Sequence, residues 1–511
     1  MVFEKKQALL EGAPKSRYVE HAQFDHIDNC DPSITWTAEE EKALVRKVDL
    51  RVMTWIGLMF FFLQLDRGNL SNAMTDNFAE DLGMTINEVN VGTIIFVLSF
   101  VSLEIPSNMV IRRVGAERWI PFLMFLWGTV SWAQTFMYDR TTFYLSRFFL
   151  GLTEAGYIPG IILYMTTYYT RDELATRLSW FWGVLALADA SSGLIAFGVL
   201  RLRSVCGLKG WQWLFLIDGV GTVIVALVSF FYLPAGPSKT KGLLRGKDGW
   251  FNDRQVKILV TRLIRDDPSK ANGQRKGANL GDLTSALKDS RVWGHVLIGF
   301  FGLMAPAPVT SYMPLMIKGF GFNTVTSNLL TVPAHLLKLL FMLALTRNSD
   351  RVKDRAWHGV FGMTWFLLGV LLLEFLPDSV GKWPLYAVVI FTVGWPYWHP
   401  INAAWLTENV APMGKRSIAL AMYIMSVNIN GLISSQIYRD DDKPRFHRGN
   451  WINIGIASFS ILLFLAQRHH YVYLDRKRDR IWNSMTEEER KHYALTTHHV
   501  GNDRLDFRFS Y

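Results

Sequence analysis

The chain has 511 residues, half of them hydrophobic, and its 54 Lys and Arg against 44 Asp and Glu leave a net charge of +10. The apolar residues fall in long blocks, which excludes a set of ordinary soluble domains and makes a bilayer the expected solvent. Basic residues cluster at block ends rather than along one face, as lipid headgroups favour and a nucleic-acid surface does not, and Cys30 and Cys206, on opposite sides of the expected topology, exclude a disulfide framework.

Residues 1–50 form a polar N-terminal tail with no apolar core before a small-residue cleavage site, so no removable signal peptide is expected. Within it, Thr37-Ala38-Glu39-Glu40 reads as a capping box opening a short helix through Val45 and Val48 at the inner interface. Hydrocarbon about 30 Å thick needs roughly 20 apolar residues in a helix. Blocks at 51–71, 89–111, 117–137, 141–164, 178–200, 211–233, 292–315, 327–346, 357–376, 384–404, 416–438 and 451–473 meet that need. The expected fold is an all-α polytopic membrane protein, with twelve transmembrane helices in two six-helix bundles at 51–233 and 292–473. The polar insert at 234–291 is a cytoplasmic linker. In it, the stretch Trp250 to Arg265 sets Val256, Leu259, Val260, Leu263 and Ile264 against Lys257, Arg262 and Arg265, as an interfacial amphipathic helix or a plain connector requires. Ser269 to Gly281 reads as flexible, and the charged tail at 474–511 is expected to end without a fold.

Segments after the second, fourth, eighth and tenth spans carry Arg112, Arg113, Arg118, Arg171, Arg177, Arg347, Arg351, Lys353, Arg355, Lys415 and Arg416. The segment after the first span instead carries Asp76, Glu80, Asp81 and Glu88. The positive-inside rule therefore puts the basic side and both termini in the cytosol, although Arg201, Arg203 and Lys209 run against it.

An ionised side chain at bilayer centre costs at least about 2.5–3.5 kcal/mol, so charges inside spans locate a pathway. Asp66 and Arg67 interrupt the apolar run of the first span, followed by Asn69. Arg147 and Glu154 lie seven apart on one face of the fourth. Burial favours the protonated carboxyl and an adjacent Arg the ionised one, so an anion competing for that Arg links its own binding to a proton's. Asp66 and Glu154 are thus the expected proton carriers, and Arg67 and Arg147 the anion's partners. Salt bridges that merely pin two helices are the competing explanation, at poor return for stability. Asp189, His335, Lys338 and His399 are rarer still in hydrocarbon; His335 and Lys338, at i and i+3, add positive charge from the second bundle. Tyr312, Trp395, Tyr397, Asn402 and Asn428 suit packing or an interfacial belt better than substrate contact, and of these Asn428 is kept with Asn69, His335, Lys338 and His399 among the substrate-binding candidates.

Leu65-Asp66-Arg67-Gly68-Asn69-Leu70-Ser71-Asn72-Ala73, the fourth-span stretch from Arg147 to Gly160, and Gly210-Trp211-Gln212-Trp213-Leu214-Phe215 ahead of Asp218-Gly219 resemble the major facilitator superfamily. Within it they are similar to the anion:cation symporter branch of fungal allantoate-permease type. That resemblance implies a cavity lined by Asp66, Arg67, Arg147 and Glu154, proton coupling to an organic anion, and a fungal plasma membrane. It also implies a gating motif at Asp350, Arg351 and Arg355, while Arg112 stands where the first-half motif has its acid. Pro396-Tyr397-Trp398-His399-Pro400, Lys415-Arg416-Ser417 and Ile437 to Pro444 look like members associated with sulfonates and related sulfur anions.

The expected function is proton-coupled symport of a small organic anion by alternating access, with a single copy sufficient. A proton-antiporting exporter is the nearest alternative; its fifth span usually bears a Gly-Pro motif, and Gly183 to Gly198 has no proline. A sensor that binds without transporting is another. No Walker loop, His-Glu-x-x-His helix or nucleophile elbow suggests an enzyme, and no cofactor, metal or nucleic acid is expected.

Overall fold

The computed structural model describes residues 29–31, 33–266, 280–377, 379–411, 413–497 and 501–511. The stretch expected to be flexible falls, as far as residue 279, outside them. The first six spans are Thr54–Ala73, Ile86–Val114, Ala116–Ala133, Arg140–Glu154 continued by Tyr157–Met165, Arg171–Val199, and Gly210–Tyr232. The second six are Ser290–Met304 continued by Pro306–Gly319, Thr324–Leu329 continued by Val332–Val352, Arg355–Phe375, Lys382–Val393 continued by His399–Asn409, Met413–Ile429 continued by Gly431–Ser434, and His447–Ser484. Among the described residues, nine helical stretches are each long and apolar enough to cross a bilayer. The third span carries Glu117 and Arg118 in its first turn, and the tenth and eleventh contribute the shorter apolar helices Lys382–Val393 and Ile418–Ser434.

Local chemistry sets the span ends. Thr85 with Glu88 and Thr170 with Glu173 form capping boxes at the second and fifth spans, and Asp139 accepts the Thr142 amide at 2.8 Å ahead of the fourth. The third and sixth spans touch at Gly219, where a Cβ would lie 2.2 Å from the Trp132 nitrogen.

Three expectations are corrected at the face that bears the linker. Thr37 caps Ala38–Val48 by accepting the Glu40 amide at 3.1 Å, but Glu40 does not return the bond, because Arg254 of the linker draws it into an ion pair at 2.7 Å. The linker helix Asp253–Asp266 does not lie on lipid. Its Val256, Leu259 and Val260 are buried in one cluster with Leu44, Val45 and Tyr168 of the first half, each worth roughly 1.5–3 kcal/mol if fully removed from water. Its Arg262 is buried too, donating to the Tyr168 carbonyl and pairing with Glu173, both at 2.8 Å. Finally, the tail folds. The last span runs on to Ser484, Glu487–Thr496 follows, and Phe509 stacks on Tyr471 with ring centres 4.7 Å apart. Trp405 and Asn409 both donate to the Ser510 carbonyl, and Tyr511 donates to Asp475 at 2.6 Å. Charge misled here: the tail's acids and bases pair with the second half, as Asp503 does with Arg291.

At the opposite face the two halves are laced together. Lys318 and Thr324 donate to the Thr75 carbonyl at 2.7 and 3.0 Å, and Asn328 donates to the Thr75 hydroxyl at 2.8 Å. Tyr312 donates to Asn90 at 2.5 Å, and Asn90 to the Tyr438 carbonyl at 2.8 Å. Here Met74 and Phe78 of the first half share an apolar cluster with Met313 and Ile317 of the second. Tyr312 thus packs and bonds across the seal.

Candidate functional site

Glu154 ends the first helical piece of the fourth span. Ala155 is extended and Gly156 takes a φ of +83°, open to glycine at little cost, and a Cβ there would also strike the Ser107 hydroxyl. The break leaves the Glu154 carboxylate buried against the first span, where Arg67 Nε donates to its Oε2 at 2.8 Å. Its Oε1 has no hydrogen-bond partner among the described residues. Two turns earlier Arg147 is 8 % exposed, its guanidinium 4.7 Å from the Phe96 ring centre and its Nε likewise without an acceptor. Arg67 lies 5.9 Å from the same ring and 5.5 Å from Phe100. Three of the four expected residues therefore gather against the second span.

The fourth does not. Successive residues on a helix point in different directions, and Asp66 turns into the bundle, where the Ser131 hydroxyl of the third span and the Thr222 hydroxyl of the sixth donate to it. Asn69 goes the same way, donating to Asp218 at 2.5 Å. Both are buried, at 4 % and 3 % exposure. Asp218, and Glu104 of the second span, whose charge bears on Arg67, are acids that sequence reasoning passed over, although the cost of charge in hydrocarbon flags both.

A second set forms where the fifth, eighth and tenth spans meet. His335 Nδ1 lies 3.7 Å from Asp189, and Lys338 Nζ lies 4.8 Å from the Tyr397 ring centre. His399 is held by the Tyr423 hydroxyl at 2.7 Å. Trp182, Asp189, Lys338, Tyr397 and His399 line one cavity, which spans both halves. Asn428 is half-buried, and its side chain makes no hydrogen bond among the described residues. Asn402 packs, bonding the buried His295 at 2.8 Å.

On the linker face Arg355 pairs with Asp350 at 2.5 Å and with Glu408 of the tenth span at 2.7 Å, tying the ends of three spans. Arg351 is exposed and stands outside this network. Glu408 had no sequence signal beyond its place at a span end. In the first half the Arg112 side chain lies outside the described residues.

Twelve spans halved by a linker, with buried opposite charges joining the first and fourth, are matched by a family model for the Major Facilitator Superfamily over residues 56–435. The chain belongs to the major facilitator superfamily. It is 35 % identical over 96 % of its length, and 91 % of the relative's, to a Saccharomyces cerevisiae protein named "Uncharacterized transporter YIL166C". It is 27 % identical to the "MFS-type transporter cnsO" of Penicillium expansum over 99 % and 96 % of the two chains, and 28 % identical to the "Major facilitator-type transporter hxnP" of Emericella nidulans over 80 % and 81 %. Among solved structures, the xylose transporter XylE of E. coli in a partially occluded inward open conformation superposes with a TM-score of 0.59 at 14 % identity, over 83 % of this chain and 98 % of that one. A bacterial homolog of the human lysosomal transporter Spinster, inward-facing and occupied, gives 0.59 at 13 % identity, over 82 % and 96 %. This superfamily transporter is a multi-pass membrane protein, and not an enzyme.

Proposed function

We propose that this transporter moves a small organic anion together with a proton, as a monomer, and that it belongs to the anion:cation symporter branch. The observation that carries the proposal is Arg147, a guanidinium buried in the bilayer region with an Nε donor that no acceptor among the described residues satisfies. A buried donor left unmade costs about 1–3 kcal/mol, more when charged, and an anionic ligand removes that cost. Arg147 and Arg67 share the Phe96 ring, so a carboxylate or sulfonate placed between them meets two planar forks. Such an anion takes Arg67 from Glu154, and the released carboxylate, already short of a partner at Oε1, then takes a proton. Lys338 and His399, which line one cavity with Asp189 of the first half, supply the second half's contacts. The laced face is the outer one and the linker face the cytosolic one, at the plasma membrane, in keeping with the Arg and Lys of the short loops.

Purified protein in proteoliposomes, given an acidic exterior and labelled nicotinate, isethionate, allantoate or pantothenate, is expected to concentrate at least one of them in a protonophore-sensitive way. Arg147→Lys, which keeps the charge and loses the fork, should cut that uptake at least tenfold. No accumulation from the whole panel, or accumulation only under the reverse gradient, refutes anion–proton symport.

A further inference from the structure

Between the sixth span and the linker helix the chain makes a tight hairpin. The Gly242 amide donates to the Gly246 carbonyl at 3.3 Å and the Arg245 amide to the Gly242 carbonyl at 3.1 Å. Gly246 and Gly249 take φ of +86° and +76°, which glycine adopts at little cost. The base of the hairpin is pinned to the span. The Trp250 amide donates to the Thr240 hydroxyl at 3.0 Å, and the buried Trp250 ring packs 5.2 Å from that of Tyr232, the last residue of the sixth span. At the tip stand Leu243, 82 % exposed, and Leu244, 49 %. Exposed leucines are ordinary on a protein surface, but these two have unusual surroundings. Lys239, Lys241, Arg245 and Lys247 flank them against a single acid, Asp248, and all three lysines are exposed. Three residues separate Leu243 from Thr240, so the tip lies within about 10 Å of the pinned base. The headgroup layer beside the hydrocarbon is itself about 5–8 Å deep. Phe230 and Phe231, both exposed, present the lipid side of this span end.

We infer that this hairpin docks on anionic phospholipid at the linker face, with Leu243 and Leu244 entering the boundary with the acyl chains and Lys241 and Lys247 meeting the headgroups. The chemistry calls for both parts of such a surface. A soluble polyanion satisfies the lysines and leaves the leucines in water; an apolar protein groove takes the leucines and leaves the positive charge unmatched. A charged membrane surface within reach of the tip supplies acyl chains and acidic headgroups together. Arg245 takes a different part: a Cβ on Gly242 would lie 2.6 Å from its Nε, so its half-buried side chain lies back along the hairpin. The docking ties the linker to the membrane and is independent of which solute is carried and of proton coupling.

Quenching of a fluorophore at the tip tests it. Full-length protein carrying Leu243→Cys, with Cys30→Ser and Cys206→Ser so that the tip alone is labelled, is placed in nanodiscs of phosphatidylcholine with or without phosphatidylserine. A melting temperature equal to that of the wild type shows that the fold is intact. With phosphatidylserine present, a lipid-borne nitroxide should quench the label and a water-soluble nickel chelate should not. The ratio of inserted to exposed label should fall at least fivefold in phosphatidylcholine alone. Lys241→Gln with Lys247→Gln, measured with phosphatidylserine present, should lower it about fivefold for each lysine, or about twenty-five-fold together. Equal ratios in the two lipid compositions, or no effect of the two glutamines, overturn recognition of the headgroups. A label that the nickel chelate quenches as fully in both discs as in detergent overturns the docking altogether and leaves the tip to water or to a protein partner.

Discussion

Glu154→Gln separates the proton from the anion while changing little else. Gln keeps an oxygen for Arg67, so what is lost is charge rather than the 2.8 Å hydrogen bond. Two unit charges about 4 Å apart attract by about 4 kcal/mol at an effective dielectric of about 20. The Glu154 side chain is fully buried but that of Arg67 is 28 % exposed, and solvent at one partner reduces the net loss to about 1–2 kcal/mol. A domain stable by about 5–15 kcal/mol survives that. The functional effect should be far larger. A pH difference of one unit stores about 1.4 kcal/mol per proton, the equivalent of tenfold in concentration. One-to-one symport of a proton with a monoanion should therefore reach about tenfold accumulation in wild-type proteoliposomes and about onefold in Glu154→Gln. Counterflow exchange of the same anion, which needs no net proton movement, should persist. A Gln variant that still concentrates the anion under the imposed gradient refutes the coupling role of Glu154.

Other expected outcomes concern stability. Gly219→Ala puts a methyl group 2.2 Å from the Trp132 nitrogen, backbone that has nowhere to go, and should cost about 1–3 kcal/mol, read as a lower melting temperature in detergent. Asp289 lies ahead of the seventh span, paired at 2.6 Å with both Arg291 and Lys415. Burial alone would raise its carboxyl, but the two cations hold it below the ordinary value of 3.8. Because the folded value is the lower one, the stabilisation is complete above about pH 3.8 and is lost as pH falls through the folded value. Asp289→Asn strands the buried Lys415, so it should lower stability at pH 7 by about 3–5 kcal/mol and abolish this group's acid-induced loss, followed by thermal unfolding against pH. Phe509→Ala removes the ring between Tyr471 and Arg478 and should speed tryptic cleavage at Arg508 several-fold while leaving the spans intact; an unchanged digestion rate shows that the ring does not hold the tail.

The spans were legible because hydrocarbon imposes one rule on every residue of a helix, and the fourth-span charges because burial makes them expensive. What escaped was direction. Asp66 and Arg67 are neighbours in sequence, and composition cannot say that Arg67 faces Glu154 while Asp66 faces Ser131 and Thr222; that depends on which helices flank the first span. Partners distant in sequence escaped for the same reason. Glu408 meets Arg355 only because the ninth and tenth spans end side by side, and residues 501–511 looked unfoldable because their apolar anchors, Tyr471 and Trp405, lie in other helices. The break after Glu154 was visible as Gly156 but read as an uninterrupted span, since a glycine inside an apolar run signals a break no more often than a packing contact.

The seal at the laced face sets how much energy any cycle of this transporter must command. Thr75 alone holds Lys318, Thr324 and Asn328, and Asn90 joins Tyr312 to Tyr438. Each such bond is worth about 0.5–1.5 kcal/mol net of the water that replaces it, so the group amounts to something on the order of 5 kcal/mol. Inverting a two-state population from one in a hundred to ninety-nine in a hundred takes about 5.5 kcal/mol. A ligand that satisfies Arg147 and neutralises Glu154 in only one of the two arrangements has that order of energy to give, a few charge-assisted bonds at about 1.5–3 kcal/mol each. The lacing is thus strong enough to hold one state without a ligand and weak enough for ligand binding to undo. Parting the halves at this face also exposes the apolar cluster of Met74, Phe78, Met313 and Ile317 to water, which adds to the cost that the ligand must meet.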